Sequence, residues 1–403
     1  MSDKKPNKII SNIYDVFEPF YGLLRIFGFV VFTVSSAEEN RCEVRRANWL
    51  YLTVSSSVLL GVFILNLNIN FFTFRMQSDI VMTMTRYILL MGILVVMETT
   101  IANRFLQPYL WKLLRNLYYF DKMMMTVNAP VDHPLHRRWV IRASIGVCIL
   151  CLLFGAFNVG TISAVSLDIR LGFFAASSYN VITFAFTLYI SHFIMILTKI
   201  RMRFCMINKC FKSNFATNDL HKLVSSSSPG SRQIIETLTK LHDCLNDSVG
   251  MANGYFALPM LITLSCVFAN IVVTVFTVYK MLVKDHTYED FWSGIVYGID
   301  CGFYVFFLVV VVAISSDLTY QGKYTAVLVH KAISRNEDAS IAEKLKSWSL
   351  QLLHRQPIVT CGLFSYDWTL FYSVVAATFA YVTILIQFDT TKYYNDRALN
   401  GTF

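Results

Sequence analysis

Apolar residues form long runs along this chain, and polar, often basic connections separate them. Seven runs are long enough to cross a bilayer, because a spanning helix needs about 20 consecutive, mostly apolar residues. These runs cover residues 48–69, 79–100, 140–163, 174–197, 252–278, 291–315 and 364–388. The connections after the second, fourth and sixth runs are long, and those after the first, third and fifth are short. The pattern predicts an all-α membrane protein with seven transmembrane helices.

The composition agrees with a membrane protein. Hydrophobic residues make up 55% of the 403 positions and charged residues only 15%. The 33 Phe and 21 Tyr residues suit a lipid-facing helical bundle with aromatic belts at the membrane interfaces. This balance argues against a set of soluble domains, and membrane lipid is the expected surrounding partner.

The 35 Lys and Arg residues are unevenly distributed. The segment before the first span and the three long connections carry 27 of them, whereas the short connections and the C-terminal tail carry six. Because basic residues are enriched in cytosolic loops, we expect a cytosolic N-terminus and an extracellular C-terminus. The net charge of +9 then reflects membrane topology, and nucleic-acid binding is not expected.

The spans divide the chain into four predicted regions. Residues 1–47 form a cytosolic segment with an interfacial helix, which the Glu18–Pro19 pair is expected to break. Residues 48–363 form a six-helix transmembrane bundle with a ligand pocket and cytosolic assembly loops. Residues 364–388 form the last helix, and residues 389–403 an extracellular tail.

Three stretches in the cytosolic connections are expected to be helical extensions of the bundle. They are Leu197–Phe211, Gln233–Val249 and Ala339–His354. Helices of this kind can build an intracellular surface on which subunits assemble.

The sequence contains no pattern that supports catalysis or metal binding. Cys205 and Cys210 lack a matching Cys/His pair, so a zinc site is not expected. There is no phosphate-binding Gly loop, nucleophile elbow or HExxH motif. We therefore predict no cofactor, no metal site and no catalytic residue, and the chain is not expected to be an enzyme.

The last span ends in a polar residue, Gln387, followed by Phe388. A neutral amide costs free energy in hydrocarbon unless it reaches water or a partner, so a pore lining or a helix contact is favoured over a lipid-facing position. On a helix, Ala380, Thr383, Ile384 and Gln387 share one face. We expect this face to line a pore in which Ile384 closes a hydrophobic constriction. Packing against neighbouring spans is the alternative.

The outer halves of the spans hold candidate ligand-binding residues. Ionisable groups within spans are costly and mark functional sites, and Arg86 and Asp300 lie at similar depths below the predicted outer face. They can pair with each other or face an aqueous pocket. Polar and aromatic side chains recur nearby: Asn158, Tyr179, Asn180, Thr274, Trp292, Tyr297 and Tyr304. They suit an apolar pocket with a few placed hydrogen bonds, although aromatic residues also form interfacial belts.

The end of the last span carries a family resemblance. Tyr381, five residues, then Gln387 and Phe388, together with seven spans and an internal N-terminus, resemble the insect gustatory receptor family, part of the insect chemoreceptor superfamily. Ala380 stands where the family pattern has Thr, and Thr383 interrupts the apolar run. The approach to the helix is also typical of the family at Gly362, Phe364, Asp367 and Leu370.

The resemblance implies a ligand-gated, non-selective cation channel in the plasma membrane of chemosensory neurons, opened by small-molecule tastants. It also implies a homotetramer, or a heterotetramer with related receptor subunits, in which four copies of the last helix line one pore. Gln387 and Phe388 would then lie at the outer gate. The few acidic groups in the outer halves favour bitter compounds over sugars. Two alternatives stay open: a metabotropic seven-helix receptor, which needs an external N-terminus, and a secondary transporter.

Overall fold

The computed structural model describes residues 12–26, 29–30, 57, 61, 79–165, 169–215, 229–283, 288–335 and 338–399. Within these ranges the chain is helical, apart from short connections and one isolated antiparallel bridge between Thr360 and Ser365. The helices of this described part are α1 (Ile13–Ile26), α2 (Asp79–Thr126), α3 (His133–Val165), α4 (Ile169–Phe215), α5 (Pro229–Val283), α6 (Tyr288–Ile333), α7 (Ala339–His354) and α8 (Trp368–Leu399).

The all-α membrane fold predicted from the sequence is confirmed. Among the described residues, five helical segments have the length and hydropathy needed to cross a membrane: His133–Val159, Tyr179–Phe215, Ser231–Val283, Tyr297–Ile333 and Trp368–Thr391. The predicted span at 79–100 lies within α2. The predicted span at 48–69 lies outside the described residues, except for positions 57 and 61. The orientation of the termini stays a prediction.

The longest helices exceed the thickness of a bilayer. Helix α5 has 55 residues, which at 1.5 Å per residue is about 80 Å, whereas the hydrocarbon core is about 30 Å thick. Helices α2, α4 and α6 contain 48, 47 and 46 residues. Their ends therefore continue beyond the membrane as the helical extensions predicted within α4 and α5. The third predicted extension is α7, which has the bounds expected from the sequence.

These long helices pack side by side around α5. Helix α2 runs along α5, and α4 contacts α3, α5 and α6. Helix α7 folds back against the end of α6, and α8 contacts α5 and α6. The arrangement leaves α8 at the edge of the bundle.

A buried ion pair joins α2 to α4 on the predicted cytosolic side. The Arg203 guanidinium donates to both carboxylate oxygens of Asp121, with Nε–Oδ1 at 2.9 Å and Nη2–Oδ2 at 2.6 Å. Both side chains are almost completely buried. Arg203 Nη1 also donates to the carbonyl oxygen of Lys199 at 3.0 Å. This bidentate geometry fixes the lateral position and the register of α2 and α4 relative to each other.

Helix α1 corrects the prediction that the Glu18–Pro19 pair interrupts the N-terminal helix. The helix runs through Pro19 without a break from Ile13 to Ile26. Its apolar side chains, including Phe17 and Phe20, are completely buried, and α1 contacts α3 and α2. This packing compensates for the hydrogen bond that proline cannot donate.

The buried ion pair predicts a large difference between two Asp→Asn variants. Asp121→Asn leaves the Arg203 guanidinium buried without a counter-charge, so we expect a loss of about 3–5 kcal/mol of stability. Asp317→Asn is the matched control: the carboxylate pairs with Arg201, but both side chains are more than a third exposed, and we expect a loss below about 1 kcal/mol. Thermal unfolding of the detergent-solubilised protein measures both. Equal midpoints for the two variants would contradict the role given to Asp121.

Candidate functional site

The last helix is reached through an irregular segment, residues 355–367, that is held against α5 and α6. Asn253 on α5 donates from Nδ2 to the carbonyl oxygen of Ile358 at 2.8 Å, and its Oδ1 accepts from the Thr360 N–H at 3.2 Å. Pro357 packs against Gly322 on α6 so closely that a Cβ at position 322 would lie 2.1 Å from Pro357 Cγ. Glycine at position 322, which has no Cβ, is therefore needed for Pro357 to pack this closely against α6.

A tight turn in this segment explains one of the family-typical residues. Gly362 adopts a φ of 90°, a left-handed conformation that glycine adopts without steric cost. The Thr360 hydroxyl accepts from the Gly362 N–H at 2.9 Å and donates to the carbonyl oxygen of Phe364 at 2.7 Å. The turn sets the direction in which the chain enters the last helix.

Asp367 caps the last helix, which begins at Trp368 and not at residue 364, where the predicted span starts. The Asp367 carboxylate accepts from the N–H groups of Thr369 at 2.9 Å and Leu370 at 3.3 Å, and from the Ser365 hydroxyl at 2.5 Å. These bonds, with that of Ser365 the largest contribution, lower the pKa of Asp367. A charged cap at this end also suits the positive end of the helix dipole.

Helix α8 has two unlike faces. Thr378 and Val382 are buried against the rest of the bundle. The face predicted to line a pore is exposed at every position: Ala380, Thr383, Ile384 and Gln387. With 100° between successive residues, that face points away from Thr378 and Val382.

The apolar side chains at the end of α8 are unusually exposed within one subunit. Ile384 is 44% exposed and Phe388 is 66% exposed. Tyr381 touches the rest of the subunit through an edge-to-face contact with Phe268, with ring centroids 5.8 Å apart. An ion pair between Lys280 on α5 and Asp389 holds the later part of the helix. Helix α8 is thus held at its start, at Asp389 and along one narrow face.

A second group of predicted residues meets between α3, α4 and α6. The hydroxyls of Tyr179 and Tyr304 are hydrogen-bonded at 3.1 Å. Asn180 donates from Nδ2 to the carbonyl oxygen of Gly155 at 3.0 Å. Asp300 is buried, interacts electrostatically with both tyrosines, and has no hydrogen-bond partner for Oδ1 among the described residues. A buried carboxylate beside two phenols forms a polar site within an apolar bundle.

The other predicted ligand-binding residues have different surroundings. Tyr297 lies one turn before Asp300 and interacts with it electrostatically. Asn158 is buried on α3. Thr274 is buried on α5, where its hydroxyl donates to the carbonyl oxygen of Asn270 at 2.8 Å. The side chains of Arg86 and Trp292 lie outside the described residues, so the predicted pairing of Arg86 with Asp300 stays a prediction.

Apolar and glycine residues that the sequence pattern did not indicate complete this polar site. Phe154 and Phe303 stack with ring centroids 4.3 Å apart. A Cβ at Gly155 would lie 3.3 Å from Asn180 Cγ, so glycine lets α3 approach α4 closely. A small residue one turn from Asn158 within a span is a signal that could have identified this helix contact.

The profile of the family described as 7tm chemosensory receptor matches residues 17–392. The chain belongs to the 7tm chemosensory receptor family. The expectation drawn from Tyr381, Gln387 and Phe388 is confirmed at the level of the family.

The relatives of this chemosensory receptor include proteins named as gustatory receptors. Gustatory receptor 28b of Drosophila melanogaster is 23% identical over 422 residues, which cover 95% of this chain and 87% of that protein. Gustatory receptor 28a of the same species is 28% identical over 172 residues, covering 42% of this chain and 38% of that protein.

A solved structure has the same fold. The insect olfactory receptor OR5 from Machilis hrabei superposes with a TM-score of 0.64 at 9% identity, covering 92% of this chain and 97% of that chain. The structure of OR5 in complex with eugenol superposes with a TM-score of 0.59 at 10% identity.

The cap at Asp367 predicts a local and pH-dependent effect on the start of α8. Asp367→Ala removes the acceptor for two backbone N–H groups, so we expect the first turn to lose about 1 kcal/mol, or about fivefold in amide-exchange protection. Because the pKa of Asp367 is lowered in the folded protein, its contribution is present above the ordinary carboxyl pKa and is lost as the pH falls through the lowered value.

Hydrogen exchange of residues 368–371 in the purified receptor measures this effect. Asp367→Asn is the control, since its amide oxygen keeps the cap but does not titrate in this range. Protection that is equal in Asp367→Ala and in the unmodified protein would contradict the capping role.

Proposed function

We propose that this chain is a gustatory receptor subunit that forms a ligand-gated, non-selective cation channel in the plasma membrane of chemosensory neurons. Membership of the chemosensory receptor family and the likeness to gustatory receptors 28a and 28b support the sensory role. The single observation that carries the channel is the exposed face of α8, formed by Ala380, Thr383, Ile384 and Gln387.

The exposed face has a composition that suits water better than lipid. Gln387 carries an amide, and an amide in contact with hydrocarbon costs free energy. The Thr383 hydroxyl donates to the carbonyl oxygen of Phe379 at 2.8 Å, so its polar group is satisfied whether the pore is wet or dry. Four copies of this face around one axis place Ile384 as a ring that blocks ions by dewetting, with Gln387 and Phe388 at its outer edge.

Assembly as a tetramer accounts for the poor burial of α8 within one subunit. A helix that covers most of its surface with other copies of itself does not need to be buried in its own bundle. The partner is a second copy of this chain or a related receptor subunit, which gives a homotetramer or a heterotetramer. No side chain of the Ala380–Gln387 face is acidic, so the pore has no basis for strong divalent selectivity.

The ligand site in this proposal is the polar cluster of Tyr179, Asn180, Asp300 and Tyr304. Its stacked Phe154 and Phe303 supply an apolar wall, and the Tyr179–Tyr304 hydrogen bond supplies polar atoms that a ligand can engage. The eugenol complex of the structurally similar OR5 supports a small organic ligand. We favour bitter compounds over sugars as the ligand. The ligand can open the pore only to the extent that it binds the open state more tightly than the closed state.

The proposal predicts an agonist-evoked current that depends on the face of α8. Whole-cell recording from cells that express this chain, with bitter compounds and sugars applied and a G-protein blocker present, should show a rapid cation current. Gln387→Ala should change the conductance or the relative cation permeability, because it removes the polar group at the outer edge of the constriction. Surface expression should stay unchanged.

Ile386→Ala is the matched control for Gln387→Ala. Residue 386 is adjacent but points to another side of the helix, so this variant should keep the permeability of the unmodified channel. Currents identical in Gln387→Ala and Ile386→Ala would contradict the pore assignment. A response that the G-protein blocker abolishes would favour a metabotropic receptor, and substrate flux without current would favour a transporter.

The ligand site predicts a separate effect on potency. Asp300→Asn replaces a buried carboxyl group next to Tyr179 and Tyr304, so we expect the agonist concentration for half-maximal current to change by roughly tenfold, with unchanged permeability. Asp317→Asn, on the cytosolic part of α6, is the control and should leave potency unchanged. Concentration–response curves for both variants and the unmodified receptor test the assignment of Asp300 to the ligand site. Equal potency in these three proteins would contradict it.

A further inference from the structure

A recess of about 210 Å³ lies at the start of α3, where this helix meets α4. Its lining consists of Leu135, His136, Arg138, Trp139, Arg142 and Met202. The predicted topology places it at the cytosolic interface of the membrane, because the predicted third span begins at residue 140. It is separate from the pore face on α8 and from the polar cluster around Asp300.

Two of the six lining residues are arginines, and none carries a carboxylate. Arg138 and Arg142 are exposed and lie one helical turn apart on α3, and both side chains line the recess. Arg137, the neighbouring arginine, instead lies 3.9 Å from Glu18. Two guanidinium groups at this spacing provide the forked donors that phosphate oxygens accept.

Acidic residues near the recess already have partners. Asp121 accepts from Arg203, and Asp132 accepts from the N–H of Leu135 at 2.9 Å at the start of α3. Neither carboxylate lines the recess. Inside the recess, an anion therefore meets two arginines and no lining carboxylate.

Two buried polar groups beside the recess lack hydrogen-bond partners among the described residues. His136 lines it and is only 7% exposed, and its Nδ1 atom has no partner. Lys199 is 0% exposed, and its Nζ also has no hydrogen-bond partner and lies 5.0 Å from the centroid of the Trp139 ring. Because a buried unpaired cation is costly, an anion on the other side of Trp139 would offset part of that cost.

An apolar stripe leads out of the recess along α3. Ile145, Ile149 and Leu152 continue the face that carries Arg138 and Arg142, and each of these three side chains is more than half exposed. This surface faces lipid if α3 spans the membrane as its length and hydropathy indicate. Cationic groups at one end of a lipid-facing stripe match an amphiphile with an anionic head and an acyl chain.

We propose that the recess binds the phosphate-bearing headgroup of an anionic phospholipid of the cytosolic leaflet. Arg138 and Arg142 bind the phosphate oxygens, and Trp139 and Leu135 contact the glycerol region. The acyl chain lies along the stripe from Ile145 to Leu152. A soluble phosphate would satisfy the two arginines but would leave this stripe without a partner. A phospholipid therefore accounts for both the two arginines and the apolar stripe.

Lipid binding to the purified full-length receptor tests the proposal without requiring any current. Native mass spectrometry and thermal shift are recorded with a short-chain phosphatidylinositol bisphosphate, with phosphatidylcholine and with soluble inositol trisphosphate. We expect binding of the anionic lipid to be about thirtyfold weaker for Arg138→Gln/Arg142→Gln, given the usual contribution of a basic residue near an anionic surface. Phosphatidylcholine should bind both proteins weakly and equally.

Lys331→Gln/Lys346→Gln is the matched control, because it removes two exposed cytosolic-side charges that do not line the recess. It should keep the affinity of the unmodified receptor. Equal loss in the two double variants would show non-specific attraction and would overturn the proposal. Equal affinity for inositol trisphosphate and for the lipid would also overturn it in favour of a soluble phosphate. Thermal unfolding in neutral detergent confirms that each variant is folded.

Discussion

Four helices in the described part of this receptor have 46 residues or more, so each is more than twice as long as the hydrocarbon core of a bilayer is thick. The rest of the structure depends on this mismatch. Because α2, α4, α5 and α6 continue beyond the membrane, the same helices build both the membrane bundle and a second packed region. The buried Asp121–Arg203 pair joins α2 and α4 in that region. Trp348 on α7 packs there between Phe211 and His242. The membrane bundle and the second packed region therefore share the same four helices.

The last helix is arranged differently from the others. It begins at a fixed point, because Asn253, Gly322 and Asp367 hold the segment before it in place. Beyond that point it buries only a narrow face, and the face with Ile384 and Gln387 is free of its own subunit. A helix with a rigid entry and few contacts along its length can move at low cost. In the proposed channel, that property suits the element that opens and closes.

The polar cluster and the basic recess occupy opposite ends of the same helix pair. Tyr179 and Asp300 lie towards the predicted outer side, and Arg142 and Lys199 lie towards the predicted inner side. Helices α3 and α4 contact each other directly. Ligand binding between their outer ends and lipid binding between their inner ends would therefore act on the same helix contact, which gives the membrane a physical route to influence the receptor.

The sequence by itself determined the all-α membrane fold and the family. It did not determine the full lengths of the helices, since the last one was expected to end at residue 388 and runs to Leu399. Runs of apolar residues are visible without knowledge of the fold, because each spanning helix satisfies its backbone hydrogen bonds internally. The i, i+3, i+4 spacing likewise placed Ala380, Thr383, Ile384 and Gln387 on one face. Only the tertiary structure decided which side chains from different helices meet, such as Tyr179 with Tyr304 and Arg203 with Asp121. The break expected at Pro19 is also absent from the structure. Burial of Phe17 and Phe20 outweighs the tendency of proline to interrupt a helix, and that burial is not visible in the local sequence.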